Sequence, residues 1–208
     1  MGKGAHGGGF AGSSHSHSAE APEDTWNLYQ HIESVVGLNA TAPGDAAAIF
    51  KPHAKRLDAE PKLTSDGDEE LMVKVAFSSP VHIRRIMVIG GGEVDEHPSH
   101  LKVYVGREEI DFSSAEDVSP TQEFDLEQNL TGEGFLATRQ APFTNVTHVT
   151  FFFSANLGGA EETTVQYIGM QGEHTHGRRE AVHATYEVMC QHADHAAVPG
   201  EAGAAMDP

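Results

Sequence analysis

Leu71, Val73, Val75 and Phe77 fall at every second position of LMVKVAF, so an extended chain puts them on one face and Met72, Lys74 and Ala76 on the other. This is the pattern of a half-buried strand over 71–77. Ser78-Ser79-Pro80 is then expected to turn the chain. The next segment, 81–89, begins in alternation and ends in the apolar run Ile86-Met87-Val88-Ile89, as a strand does when it passes from a sheet face into a deeper core. Leu101, Val103 and Val105 resume the alternation. Further strands are predicted at 122–126, 148–153 and 164–170, separated by clusters of Gly, Pro, Asn and Ser. Many short strands with this punctuation predict an all-β sandwich or barrel. At most one short helix is expected, near the N-terminus. Asp24 would cap it, Trp26, Tyr29, Ile32 and Val36 lie near helical spacing, and Gly37 would stop it.

Composition adds the boundaries. The first 23 residues are mostly Gly, Ser, Ala and His, too poor in large apolar side chains to offset the entropy of ordering. They are expected to form a disordered tail. Residues 196–208, AAVPGEAGAAMDP, read the same way, leaving one folded domain over 24–195. Among 208 residues, 31 Asp and Glu stand against 13 Lys and Arg, a formal charge of -18. Such a charge disfavours nucleic acid and anionic lipid surfaces and suits basic partners or none. The single cysteine, Cys190, excludes an intramolecular disulfide framework and fits a reducing compartment. No segment has the roughly 20 consecutive apolar residues of a membrane-spanning helix. The expectation is a soluble, cytoplasmic chain with access to the nucleus, monomeric on its own.

Candidate chemistry is thin. Gly7 to Gly12 spells GxGxxG, but neither a strand before it nor a helix after it supplies the dinucleotide-binding context. Cys190 with His192 and His195 resembles a thiolate beside a base, yet catalytic pairs assemble from separated segments. His15 with His17, His174 with His176 and His192 with His195 offer paired imidazoles without a fixed geometry. The carboxylates Asp66, Asp68, Glu69 and Glu70 are adjacent and read as a solvated loop rather than a tuned acid/base pair. In VIGGGEVDEHPSHLKVYV, three glycines and the cluster Asp95, Glu96, His97 separate two strands. A calcium ion takes six to eight oxygens, so this cluster alone is too small for one. No metal, cofactor or catalytic residue is therefore expected. What remains for this loop is recognition, with Asp95, Glu96 and His97 as candidate partner-binding residues. The basic pair Arg178-Arg179 is a second candidate, weighed against internal pairing with the chain's own acidic loops.

Several strings, in order from Asp24 to His195, resemble the PITH family, named for proteasome-interacting thioredoxin-like proteins. They include Leu28-Tyr29 with Ile32, Leu38-Asn39, Ile49-Phe50-Lys51-Pro52, Arg56-Leu57 and Ser65-Asp66 with Asp68-Glu69-Glu70-Leu71. Pro98-Ser99, Leu101-Lys102-Val103-Tyr104, Ile110-Asp111-Phe112 and Gln122-Glu123-Phe124-Asp125-Leu126 continue the set. Thr138-Arg139, Phe143 with Asn145-Val146, Gly158-Gly159 with Thr163-Thr164, Tyr167-Ile168-Gly169 with Gly172-Glu173, and Arg178-Arg179-Glu180 complete it. The resemblance implies a jelly-roll-like antiparallel β-sandwich similar to galactose-binding-like domains, without established catalytic residues. It also implies docking on the regulatory particle of the 26S proteasome. No thioredoxin domain is visible, so redox activity is not expected. His53 departs from the family, which often has an aromatic residue there, and weaker packing is expected at that position. The extra glycine in Gly90-Gly91-Gly92 also looks particular to this chain. The function expected is a non-enzymatic protein-interaction module. The alternatives are a carbohydrate or small-ligand binder and a structural subunit of another assembly, for example a cytoskeletal one.

Overall fold

The computed structural model describes residues 25–175. Eight strands run in chain order as β1 (Ile32–Leu38), β2 (Leu63–Thr64), β3 (Leu71–Gly90), β4 (Pro98–Val105), β5 (Gln122–Asp125), β6 (Leu136–Ala137), β7 (Val146–Asn156) and β8 (Thr164–His174). All pairings are antiparallel, in the order β2-β8-β3-β7-β4-β5, with β1 and β6 also paired to β3.

The 20-residue strand β3 organises both layers. Its first half pairs with β1 and β7, and Leu71, Val73, Val75 and Phe77 face inward as their spacing predicts. Its second half pairs with β8 and β6 and sends Ile83, Ile86 and Val88 into the same core. Phe151 and Phe153 of β7 and Ile168 and Met170 of β8 close that core from either side. Side chains on the outward positions are covered as well. Met72, Tyr104 and Phe152 pack under the segment around α1 (Phe112–Asp117), where Tyr104 donates its hydroxyl proton to the Ala115 carbonyl at 3.0 Å. Met87, Ile89 and Tyr167 lie under Trp26. The result is a jelly-roll-like β-sandwich with cover on both outer faces.

Three local expectations change. The segment after Asp24 is not an α-helix. Leu28–His31 makes a single 3-10 turn, and Ile32 to Leu38 continues as β1, because its β-branched residues Ile32, Val35 and Val36 favour the extended pairing offered by residues 72–77. Ser78-Ser79-Pro80 does not reverse the chain. The strand continues through it with a register irregularity between Ala76 and Val81, where a proline lacking its N–H is tolerated. The α-helix that does form, α1, lies between β4 and β5 and starts with a capping box in which the Ser114 amide donates to Asp111 Oδ1 at 2.8 Å. The expected tails over 1–23 and 196–208, Cys190, and the histidines at 15, 17, 176, 192 and 195 lie outside the described residues.

Candidate functional site

Register places three loops at one end of the sandwich. Gly90 of β3 pairs with Val165, Pro98 of β4 with Asn156, His100 with Asp125, and Ile86 with Leu136. Loops 90–98, 126–135 and 156–163 therefore emerge together. The first is a braced turn. Val94–Glu96 forms a 3-10 turn, and the His97 ring is buried against Gly90. A Cβ on Gly90 would stand 2.4 Å from His97 Cγ, so only glycine lets the ring lie there. Leu157 donates its amide proton to the His97 carbonyl at 2.8 Å, and Gly158 donates to the Asp95 carbonyl at 3.0 Å. A Cβ on Gly158 would approach Asp95 Cβ to 2.1 Å. Thr164 Oγ1 donates to Glu96 Oε2 at 2.9 Å. Loop 126–135 is braced in its turn by Asn129, whose Nδ2 donates to the Val88 and Gly134 carbonyls at 3.2 and 3.1 Å while its Oδ1 accepts from Gly132 at 3.0 Å. Arg56 Nε adds a bond of 3.0 Å to the Gly132 carbonyl.

The three candidates in this stretch consequently part company. Asp95 is exposed, Glu96 is half-buried and engaged by Thr164, and His97 is only 4% exposed. Burial pushes the His97 pKa below its ordinary value, against a smaller upward pull from Glu96, so the ring is neutral at pH 7. Its Nδ1 is buried without a hydrogen-bonding partner. Arg178 and Arg179 lie outside the described residues. The loops also present apolar side chains: Val94, Leu130, Phe135 and Leu157 are 52%, 61%, 48% and 42% exposed. Phe135 edges a cleft of about 340 Å³ whose walls include Gly90, His97, Asp125, Glu127 and Asn129. The Arg85 guanidinium lies 4.3 Å from the Phe135 ring centroid, which holds that ring on the rim.

A larger cleft, of about 930 Å³, lies where β3 and β8 approach the bend at Ser79 and Pro80, with His31, His82, Arg84, Glu173 and His174 in its walls. Several of its polar groups are engaged with one another. Arg84 Nη2 meets Glu173 Oε1 at 2.7 Å, the His31 and His174 rings stack with centroids 4.0 Å apart, and His174 Nε2 is hydrogen-bonded to Ser79 Oγ. No group of three or more His, Cys, Asp or Glu side chains among the described residues is placed to hold a metal ion.

The acidic run at 66–70 is a brace too. Asn39 Nδ2 donates to Asp68 Oδ1 and to the Glu70 carbonyl, both at 2.6 Å, and Thr163 Oγ1 donates to the Glu69 carbonyl at 2.6 Å. Burial, then the neighbouring charges of Asp68 and Glu69, raise the Glu70 pKa. Two further roles were hidden in the sequence. Lys51, 8% exposed, donates to the carbonyls of Asp58, Pro61 and Glu60 at 2.7, 3.3 and 3.4 Å, and so clips the segment leading to β2. His53 stacks on Trp26 at 5.4 Å and tilts against Tyr167 at 6.3 Å, so the imidazole occupies a ring-packing position where weaker packing was expected. Trp26, half-buried between His53 and the sheet, is not presented as a platform for a sugar ring.

Eight antiparallel strands with braced end loops make a jelly-roll-like β-sandwich, similar in fold to galactose-binding-like domains. Among solved structures, the CBM32-1 and CBM32-2 domains from Clostridium perfringens ZmpB superpose with a TM-score of 0.51 at 13% identity, covering 70% of this chain and 35% of that one. At that identity the likeness is one of fold. The PITH domain family matches residues 18–190, and the chain belongs to this family. It is 36% identical over 196 residues to PITH domain-containing protein 1 of Homo sapiens, covering 91% of each chain. It is 32% identical over 184 residues to PITH domain-containing protein 1 of Dictyostelium discoideum, covering 88% of this chain and 90% of that one. These relatives are named for the domain they contain, and no catalytic family is indicated.

Proposed function

We propose that this protein is a non-enzymatic interaction module that docks on the regulatory particle of the 26S proteasome. Membership of the PITH family supports the partner, whose name the family carries. The observation that supports docking is the loop end itself, where Val94, Leu130, Phe135 and Leu157 stand exposed on loops 90–98, 126–135 and 156–163. Loops on a rigid scaffold are where recognition is carried, and apolar side chains exposed together mark surfaces that are covered in use. Asp95 belongs to this surface as an exposed carboxylate, whereas Glu96 and His97 shape it from below. Cytoplasm, with the nucleus accessible, is the location that goes with this function. Affinity capture of the full tagged chain from lysate, read by quantitative mass spectrometry, tests the partner. Enrichment of regulatory-particle subunits is expected, and their absence would remove the proteasome from the proposal.

A further inference from the structure

We infer that the loop end receives a basic protein segment that carries apolar side chains, seated on the cleft between loops 90–98 and 126–135. This inference rests on reading the chain as an interaction module and adds the chemistry of what it binds. Loops 90–98, 126–135 and 156–163 hold seven carboxylates and no lysine or arginine. Six of the seven, Glu93, Asp95, Glu127, Glu133, Glu161 and Glu162, are exposed. The ion pairs among the described residues use Glu60, Glu108 and Glu173, none of the seven. Arg56 and Arg85 reach this end from neighbouring segments, at the Gly132 carbonyl and the Phe135 ring, but neither is paired with a loop carboxylate, so negative charge remains in excess there. A cationic partner would relieve that repulsion, whereas nucleic acid and anionic lipid would increase it.

Charge alone would attract any polycation; the apolar side chains narrow the choice. Of the six large hydrophobic side chains exposed among the described residues, four are on these loops, and a fifth, Leu57, follows the Arg56 that is tied to Gly132. Phe135 edges the cleft, and the exposed Asp125 and Glu127 carboxylates stand in its wall. An arginine or lysine of the partner placed between these carboxylates would lay its methylene stem along the Phe135 ring, while a neighbouring apolar residue covers Leu130. The braces through Gly90, Gly158 and Asn129 hold the loops in place before binding, so little ordering cost remains.

Fluorescence anisotropy of the full chain with a labelled peptide alternating arginine and leucine tests this, beside Glu/Leu and Arg/Ser peptides of the same length. The Arg/Leu peptide is expected to bind, more weakly as salt rises. Its affinity should fall about tenfold or more in Glu127→Lys/Glu133→Lys and in Leu130→Ser/Phe135→Ser, as for loss of charged or apolar contacts at an interface. Both doubles change exposed side chains, and a thermal melt matching the wild type confirms that they fold. Absence of Arg/Leu binding, unchanged affinity in either double, or equal binding of a control peptide would overturn the inference. Proteasome capture that survives Glu127→Lys/Glu133→Lys would overturn this face while leaving the module reading standing. Wild-type chain that captures no proteasome but binds the peptide at these loops would remove only the named partner.

Discussion

The bend-side cleft and the loop-end cleft of this sandwich differ in a way their sizes invert. The larger, beside the bend of β3, has in its walls His31, His174, Arg84 and Glu173, whose side chains are engaged in mutual contacts. The smaller, at the loop end, is built over backbone hydrogen bonds and glycine contacts, and it leaves carboxylates and apolar side chains facing solvent. A cleft recruits a partner through groups left unsatisfied, and volume says little about that.

The contrast is tested most severely at Gly90. Gly90→Ala would force a Cβ to within 2.4 Å of a buried ring, and the overpacking is expected to cost about 2–3 kcal/mol in urea unfolding. Gly44→Ala, which meets nothing within 4 Å, should stay within about 0.5 kcal/mol of wild type. If the two glycines tolerate alanine equally, the loop end is not braced as described. A smaller effect follows from His97. Its folded pKa lies below the ordinary value of about 6.5, so the unfolded chain binds the proton first. The stability it contributes is present above that pH and is lost as pH falls through it. Thermal melts between neutral pH and pH 5 should fall less steeply for His97→Leu than for wild type, and identical slopes would assign the acid sensitivity elsewhere. The smallest effect belongs to the bend-side cleft. Arg84 and Glu173 are 62% and 63% exposed, so Arg84→Ala should cost no more than about 1 kcal/mol. A greater loss would mean that this cleft, too, is held under tension by its polar groups.

The central strands were legible because their period-two faces are buried against one another, as Val73 and Phe151 are. Of the strands at the edges, β5 was legible at 122–126, but β1, β2 and β6 were not. In β1 the burial does not alternate, and Trp26, Tyr29, Ile32 and Val36 happen to fall near helical spacing. The two-residue β2 and β6 are too short to show a period at all. At the candidate site, the loop after Gly90 was recognisable from its glycines and acids, and Asp95 is exposed there. Sequence had no means of turning His97 inward or Leu130 and Phe135 outward, because exposure of a lone apolar residue is decided by which loops meet. The absence of Lys and Arg from three distant loops became meaningful only when register brought them to one end.

β3 is hydrogen-bonded to four other strands, β1, β6, β7 and β8, and contributes to both layers. Neither sheet can open without loosening the strand on which the other is built. Its protected amides on either side of the bend should therefore exchange with deuterium through one shared opening event, making the sandwich a single foldon. A contact that strains the loop end would be felt by the whole domain as a change in that one opening equilibrium.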